Sequence, residues 1–142
     1  MKTVEQVLGH KGGAVYGVRP DDTVFRALEM MAEKGVGALL VLEDDELVGI
    51  LSERDYARKG ILMDRSSHET KVSELMTARV LCVGLETSVD QCMALMTEKR
   101  IRHLPVLEGG HVVGVISIGD VVRTVISEQE FIISELERYI NS

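Results

Sequence analysis

Residues 24–55 slide onto residues 89–120 without a gap, and 12 of the 32 aligned positions are identical. Chance supplies about two, and self-similarity at a fixed period is the mark of a duplicated structural unit. The matches include Val24 with Val89, Met31 with Met96, Glu33 and Lys34 with Glu98 and Lys99, and Leu39 with Leu104. They continue through Val41, Leu42 and Glu43 onto Val106, Leu107 and Glu108, and Val48 onto Val113. Most telling is a short motif, "GILSERD" at 49–55 and "GVISIGD" at 114–120, in which glycine, serine and aspartate are all offset by 65 residues. A chain of 142 residues built this way is two small units that share a core.

Each unit reads strand, helix, strand, strand, helix. "AVYGV" is a short strand, "PDD" a turn with Asp22 or Thr23 as helix cap, and "VFRALEMMAEK" a helix with Val24, Ala27, Leu28, Met31 and Ala32 at helical spacing. Gly35 and Gly37 end it, "ALLVL" and "LVGILS" flank the turn "EDDE" as a hairpin, and "ERDYARK" closes the unit. The second unit repeats this with "RVLCV", "VDQCMALMTEK", "LPVL", "EGGH", "VVGVIS" and "IGDVVRTV". The expected organisation is a first repeat with its lead-in at 1–59, a polar linker at 60–71, a second repeat at 72–127 and a helical extension at 128–142. "VEQVL" at 4–8 resembles "VSELM" at 72–76, so each repeat has a helical lead-in. The fold class is α/β (α+β): two pseudo-two-fold β-α-β-β-α repeats packed sheet to sheet, because one repeat alone leaves much of its apolar face wet. That pairing brings the two Gly-x-x-Ser-x-x-Asp segments to one axis.

Composition narrows the function. Sixteen basic against 23 acidic residues give a net charge of −7, which repels a nucleic-acid backbone. The longest apolar runs, such as "ALLVL", fall far short of the roughly 18 residues of a membrane span. The N-terminal "MKTVEQVLGHKGG" has no signal-peptide pattern, so a cytoplasmic location without membrane partners is expected. Cys82 and Cys92 lack CxxC spacing and read as core thiols. Met30, Met31, Met93 and Met96 read as gap-fillers of core helices, and the glycine-rich "HKGGAVYG" as a turn. His10, His68, His103 and His111 share no metal-ligand spacing, and no nucleophile with a base can be assembled, so neither a metal site nor catalysis is expected.

Two readings of the repeated motif stand side by side. In one, Ser52 and Ser117 cap the following helix while Asp55 and Asp120 reach back to the cap's own N–H, a self-sufficient capping box. In the other, the carboxylate accepts hydrogen bonds from both hydroxyls of a ribose, a match to a vicinal diol. The branched side chains of "VVGVIS" and "RVLCV" suit a flat base. Phosphate needs cations, and "KRIRHLPV" supplies Arg102 and His103 at the entry to a strand, level with the motif. The matching "KGVGALLV" offers Gly37 and Ala38 instead, so one stronger site is expected; Lys99 and Arg100 read as a helix C-terminus.

The repeated unit, with "LPVLEGGHVVGVISIGDVV" and "GALLVLEDDELVGILSERDYARK", resembles a pair of cystathionine-β-synthase-type (CBS) domains, the Bateman module, over roughly residues 10 to 127. The resemblance implies a non-catalytic module that binds adenosyl ligands such as AMP, ADP, ATP, NAD or S-adenosylmethionine and regulates another protein. It puts the ribose on Asp120 with Ser117 and on Asp55 with Ser52, the phosphate on Arg102 and His103, and the base along Thr77 and Val80. The primary site expected on that basis is Thr77, Val80, Arg102, His103, Ser117 and Asp120; the weaker second site is Ser52, Arg54, Asp55, Gly37 and Ala38.

The expected function is therefore adenosyl-nucleotide sensing, AMP foremost, with the output passed to an unnamed partner in trans. The alternatives are an interaction or dimerisation module with vestigial pockets, or a binder of NAD(H) or S-adenosylmethionine. A homodimer is also expected, because Val122, Val125, Ile126, Phe131, Ile132, Leu136 and Ile140 run along a final segment longer than one small sheet can cover.

Overall fold

A computed structural model describes residues 2–141. Contacts divide the chain into two compact units, a contiguous one, Val15–Leu81, and a discontinuous one, Met1–Ala14 with Cys82–Ser142.

Helix α1 (Val4–Lys11) opens the discontinuous unit, capped by Thr3, whose hydroxyl accepts from the Gln6 N–H while the Gln6 side chain accepts from the Thr3 N–H. Its apolar face, Val4, Val7 and Leu8, lies in one buried cluster with Val83, Val89, Cys92, Met96, Leu104, Val106, Ile116 and Val121. The lead-in expected to serve the first repeat thus packs with the second. In the contiguous unit, β1 (Gly17–Val18) runs parallel to β2 (Ala38–Glu43), which pairs antiparallel with β3 (Glu46–Ser52). Helix α2 (Val24–Lys34) lies between β1 and β2 in sequence. Of the two expected caps, Thr23 accepts from the Arg26 N–H, whereas Asp22 accepts from Arg19 in the preceding turn. Val24, Ala27 and Met31 are buried with Val18, Leu39, Val41, Leu51, Val72 and Leu75, while Leu28 is half-buried and Ala32 exposed.

The first repeat's closing helix does not continue as one α-helix. A short α3 (Glu53–Asp55) passes into a π-helical turn at Tyr56–Gly60 and a 3-10 turn at Ile61–Met63. The Tyr56 ring packs where a side chain at Gly60 would stand. Residues 60–71, read as a polar linker, are tied to the start of α2: the N–H groups of Val24 and Phe25 donate to the carbonyls of Thr70 and Ser67, and His68 stacks on Phe25. Helix α4 (Val72–Leu75) then buries Val72 and Leu75 in the contiguous unit. Each repeat's lead-in helix therefore belongs to the other repeat's unit.

The second repeat continues with α5 (Val89–Lys99), capped by Ser88, then β4 (His103–Glu108), β5 (His111–Ser117) and the long α6 (Ile118–Asn141). Both hairpins turn on two residues at positive φ, Asp44 and Asp45 in the first and Gly109 and Gly110 in the second, the pattern of a type I′ turn. The expected strand "RVLCV" shrinks to a bridge at Val83, whose N–H donates to the Pro105 carbonyl and whose carbonyl accepts from Leu107. A turn follows at once, with the Gly84 N–H donating to the Thr87 hydroxyl, and it ends the pairing. Of the four helix methionines, Met31 and Met96 are buried and Met30 half-buried, whereas Met93 is exposed. No helix among the described residues is long and apolar enough to cross a membrane.

Candidate functional site

Both motif corners form by the same local chemistry. A strand ends at serine, the chain enters a helix, and the aspartate three residues on lies over the serine's N–H. At the first corner Asp55 Oδ2 accepts from the Ser52 N–H at 2.9 Å and from the Ser52 hydroxyl at 3.0 Å, and the Asp55 N–H donates to Ser52 Oγ at 3.1 Å. At the second, Asp120 Oδ2 accepts from the Ser117 N–H at 2.8 Å and the Asp120 N–H donates to Ser117 Oγ at 3.2 Å. The capping box is present in both.

The strand entering each hairpin is clasped to its corner. His103 pairs across the hairpin with Ser117, and the Ile118 N–H donates to the Arg102 carbonyl at 2.8 Å. Ala38 pairs with Ser52, and the Glu53 N–H donates to the Gly37 carbonyl at 3.0 Å. The backbone of Arg102 and His103 is therefore held against Ser117 and Ile118, as that of Gly37 and Ala38 is against Ser52 and Glu53; Arg54 is half-buried beside Asp55 in α3. Thr77 and Val80 fall elsewhere than the primary grouping expected from sequence. They belong to the contiguous unit, where Thr77 exchanges both backbone hydrogen bonds with Ile50 of β3, at 3.0 and 2.9 Å. The motif glycine has its reason here. A side chain at Gly49 would stand 2.5 Å from Met76 Sδ and 3.1 Å from the Thr77 carbonyl, and one at Gly114 would strike Leu8 of α1.

The two aspartates differ in surroundings. Asp120 is 4% exposed, and its carboxylate holds two cations besides the cap: Lys11 Nζ at 2.7 Å from Oδ2 and Arg123 Nη2 at 2.6 Å from Oδ1. The Lys11 ammonium also donates to the Val115 carbonyl at 2.9 Å. Burial alone would push the Asp120 carboxyl up, but the hydrogen bonds from Lys11 and the Ser117 N–H outweigh it and hold the group below its ordinary range. Asp55 pairs with Lys59, at 3.5 Å and one helical turn on. Arg58, at the repeat position of Arg123, forms no ion pair among the described residues.

Sequence reasoning missed Lys11. It lies in the "HKGG" stretch read as a turn, and the signal was present: the lead-in that ends at Lys11 resembles the one that carries Thr77. Elsewhere in the discontinuous unit a shallow groove of about 630 Å³ lies along α5, lined by Cys82, Thr87, Gln91, Leu95 and Leu107, and it shares no residue with the motif. Burial pushes both the Cys82 and Cys92 thiols up, toward the protonated form.

A duplicated unit whose strand-to-helix corners each fix a capped carboxylate beside a clasped strand entry is the architecture of a paired ligand-binding regulatory module. The family model described as "CBS domain" matches residues 14–61 and 72–127, and the chain belongs to that family. It is 42% identical over 147 residues to the mitochondrial CBS domain-containing protein CBSX3 of Arabidopsis thaliana, covering 97% of this chain and 71% of that protein. The fold matches that of a protein with CBS domains from Burkholderia ambifaria MC40-6 at a TM-score of 0.87 and 53% identity, over 90% of this chain and 96% of that one. The CBS domain pair of MJ0100, solved with 5′-methylthioadenosine and S-adenosyl-L-methionine, shares the fold at a TM-score of 0.79 with 20% identity, over 90% and 98% of the two chains. As a CBS-domain protein the chain is a non-catalytic regulatory module.

Proposed function

We propose that this CBS module senses an adenosyl nucleotide, AMP best of all, and passes the signal to another protein in trans. The observation that carries the reading is the local clustering of charge at the Ser117–Asp120 corner. A protein of net charge −7 sets Lys11 and Arg123 on one buried carboxylate and runs the backbone of Arg102 and His103 along the same corner. A carboxylate for a diol beside cations for a phosphate is the donor and acceptor set of a ribose phosphate. One or two phosphates suit this cluster better than three, which bring more charge to an acidic chain. ADP, ATP, NAD and S-adenosylmethionine are the competing ligands, and the solved MJ0100 complex supports the fold's ability to admit an adenosyl group. Ser52 and Asp55, with Gly37, Ala38 and Arg54, form the second and weaker site, where Lys59 stands 3.5 Å from the carboxylate against 2.7 Å for Lys11 at Asp120. Thr77, which bridges Ile50 of β3, joins the proposed second site, with Val80 in the same unit.

A homodimer completes the proposal. On α6, Ile126, Phe131, Ile132, Leu136 and Ile140 are all about half exposed or more, along a helix of about 36 Å. A second copy burying this stripe is the simplest partner. The ligand reading is tested by melting temperature. AMP should raise it most, since binding to the native state alone adds about 2.7 kcal/mol at a hundredfold excess over Kd. Guanosine nucleotides that match or beat adenosine ones would overturn it.

A further inference from the structure

The two corners share a cap and a clasp but differ in what lies across the strand beside them. In the contiguous unit the Ile50 carbonyl accepts from the Thr77 backbone N–H at 2.9 Å. Val115 holds the repeat position of Ile50, and its carbonyl accepts from the Lys11 ammonium, also at 2.9 Å. A fixed amide in one unit is thus replaced in the other by the end of a flexible side chain. The same ammonium is 2.7 Å from Asp120 Oδ2, where the Ser117 N–H is already bound, and Arg123 occupies Oδ1.

A carboxylate offers about four lone-pair positions, and three at Asp120 are filled. A vicinal diol needs two. The Ser117 N–H is backbone and cannot leave, and Arg123 stands on the aspartate's own helix on the far oxygen. Lys11 is the donor that shares Oδ2 with the cap, and its side chain is 37% exposed. It stands at the end of α1, before Gly12 and Gly13, where the chain is freest to adjust.

We infer that Lys11 is a displaceable counter-ion that makes the Ser117–Asp120 site select nucleotides over nucleosides. This rests on the nucleotide-binding reading proposed above. A nucleoside alone must expel the ammonium from its carboxylate and leaves it nothing in exchange. A nucleotide brings a phosphate that takes the ammonium as the diol takes the carboxylate, so one ion pair replaces another. Lys11 is then a specificity-determining residue, and the site reads the presence of the phosphate through it.

The test is calorimetric titration of adenosine and of AMP into the wild-type chain and into Lys11→Met, with Lys11→Arg as the conservative rescue. The Met variant should bind adenosine several-fold tighter and AMP about tenfold weaker or more, changes of opposite sign, and the Arg variant should recover the preference for AMP. Lys11→Gln, one atom shorter and uncharged but still carrying an N–H donor, should show the same two-way split should Lys11→Met melt too low for titration. A structural role alone would weaken both ligands by one factor, and that result, or no change in either, overturns the inference while leaving nucleotide binding intact. Wild-type chain that binds neither ligand overturns the nucleotide reading itself, and this inference with it.

Discussion

Replacing Asp120 by asparagine keeps the shape of the side chain and removes its charge, so the consequences follow from the three donors it holds. The Ser117 N–H keeps an acceptor in the amide oxygen. The Lys11 pair is partly shielded, with one partner 4% and the other 37% exposed, and loses about 1 kcal/mol or somewhat more. The Arg123 partner is 73% exposed, so that pair contributes only a few tenths after solvent screening. With the weaker cap added, Asp120→Asn should lower stability by about 2 kcal/mol at pH 7. The pH dependence has a definite sign. The folded carboxyl titrates below its unfolded value of about 3.9, so its contribution is complete above that value and is lost as pH falls through the folded pKa. Urea unfolding followed by circular dichroism at pH 7, 5 and 3 should give a constant gap between variant and wild type at the two higher values and a narrowing gap at pH 3. A gap that stays unchanged at pH 3, or no gap at pH 7, would refute the assignment of Asp120 as a stabilised ion-paired carboxylate.

Two further outcomes are expected. Arg100 ends α5 in the left-handed region, φ 55°, where Gly35 ends α2 in the first repeat, so Arg100→Gly should raise stability by about 0.5–1 kcal/mol in the same urea titration; a loss would show that the arginine side chain matters more than its backbone. Light scattering at micromolar concentration should give twice the 15.7 kDa of the chain, and the double variant Ile132→Glu, Leu136→Glu should give the monomer; a monomeric wild type would rule out the dimer.

The sheet hairpins, the helices and the motif corners were legible because they repeat, and a repeated residue betrays a repeated role. Gly49 and Gly114 stood out as a pair, although only the structure shows what they clear, a lead-in residue pressed against the strand. The exchange of lead-in helices was not legible. "VEQVL" and "VSELM" have the same apolar spacing, and either would fit either core, so pattern alone assigns each to its neighbour in sequence. That ambiguity also hid the site's asymmetry. Sequence order that assigns α1 to the first repeat gives Lys11 no reason to meet Asp120, 109 residues away, and groups Thr77 with the residues that follow it. Strand length failed for a related reason. "RVLCV" has the composition of a strand, but it meets β4 at the bridge on Val83, immediately before the turn at Gly84.

The central claim, one strong adenosyl-nucleotide site at the cation-bearing corner, is tested most directly by calorimetric titration of AMP into the wild type, Asp120→Asn and Asp55→Asn. Loss of a charge-assisted hydrogen bond weakens binding about tenfold to a hundredfold, and that loss is expected at Asp120 with a smaller one at Asp55. Equal effects, a larger effect at Asp55, or variants that bind AMP normally while melting lower would contradict the account, the last by leaving the motif as a helix cap and nothing more.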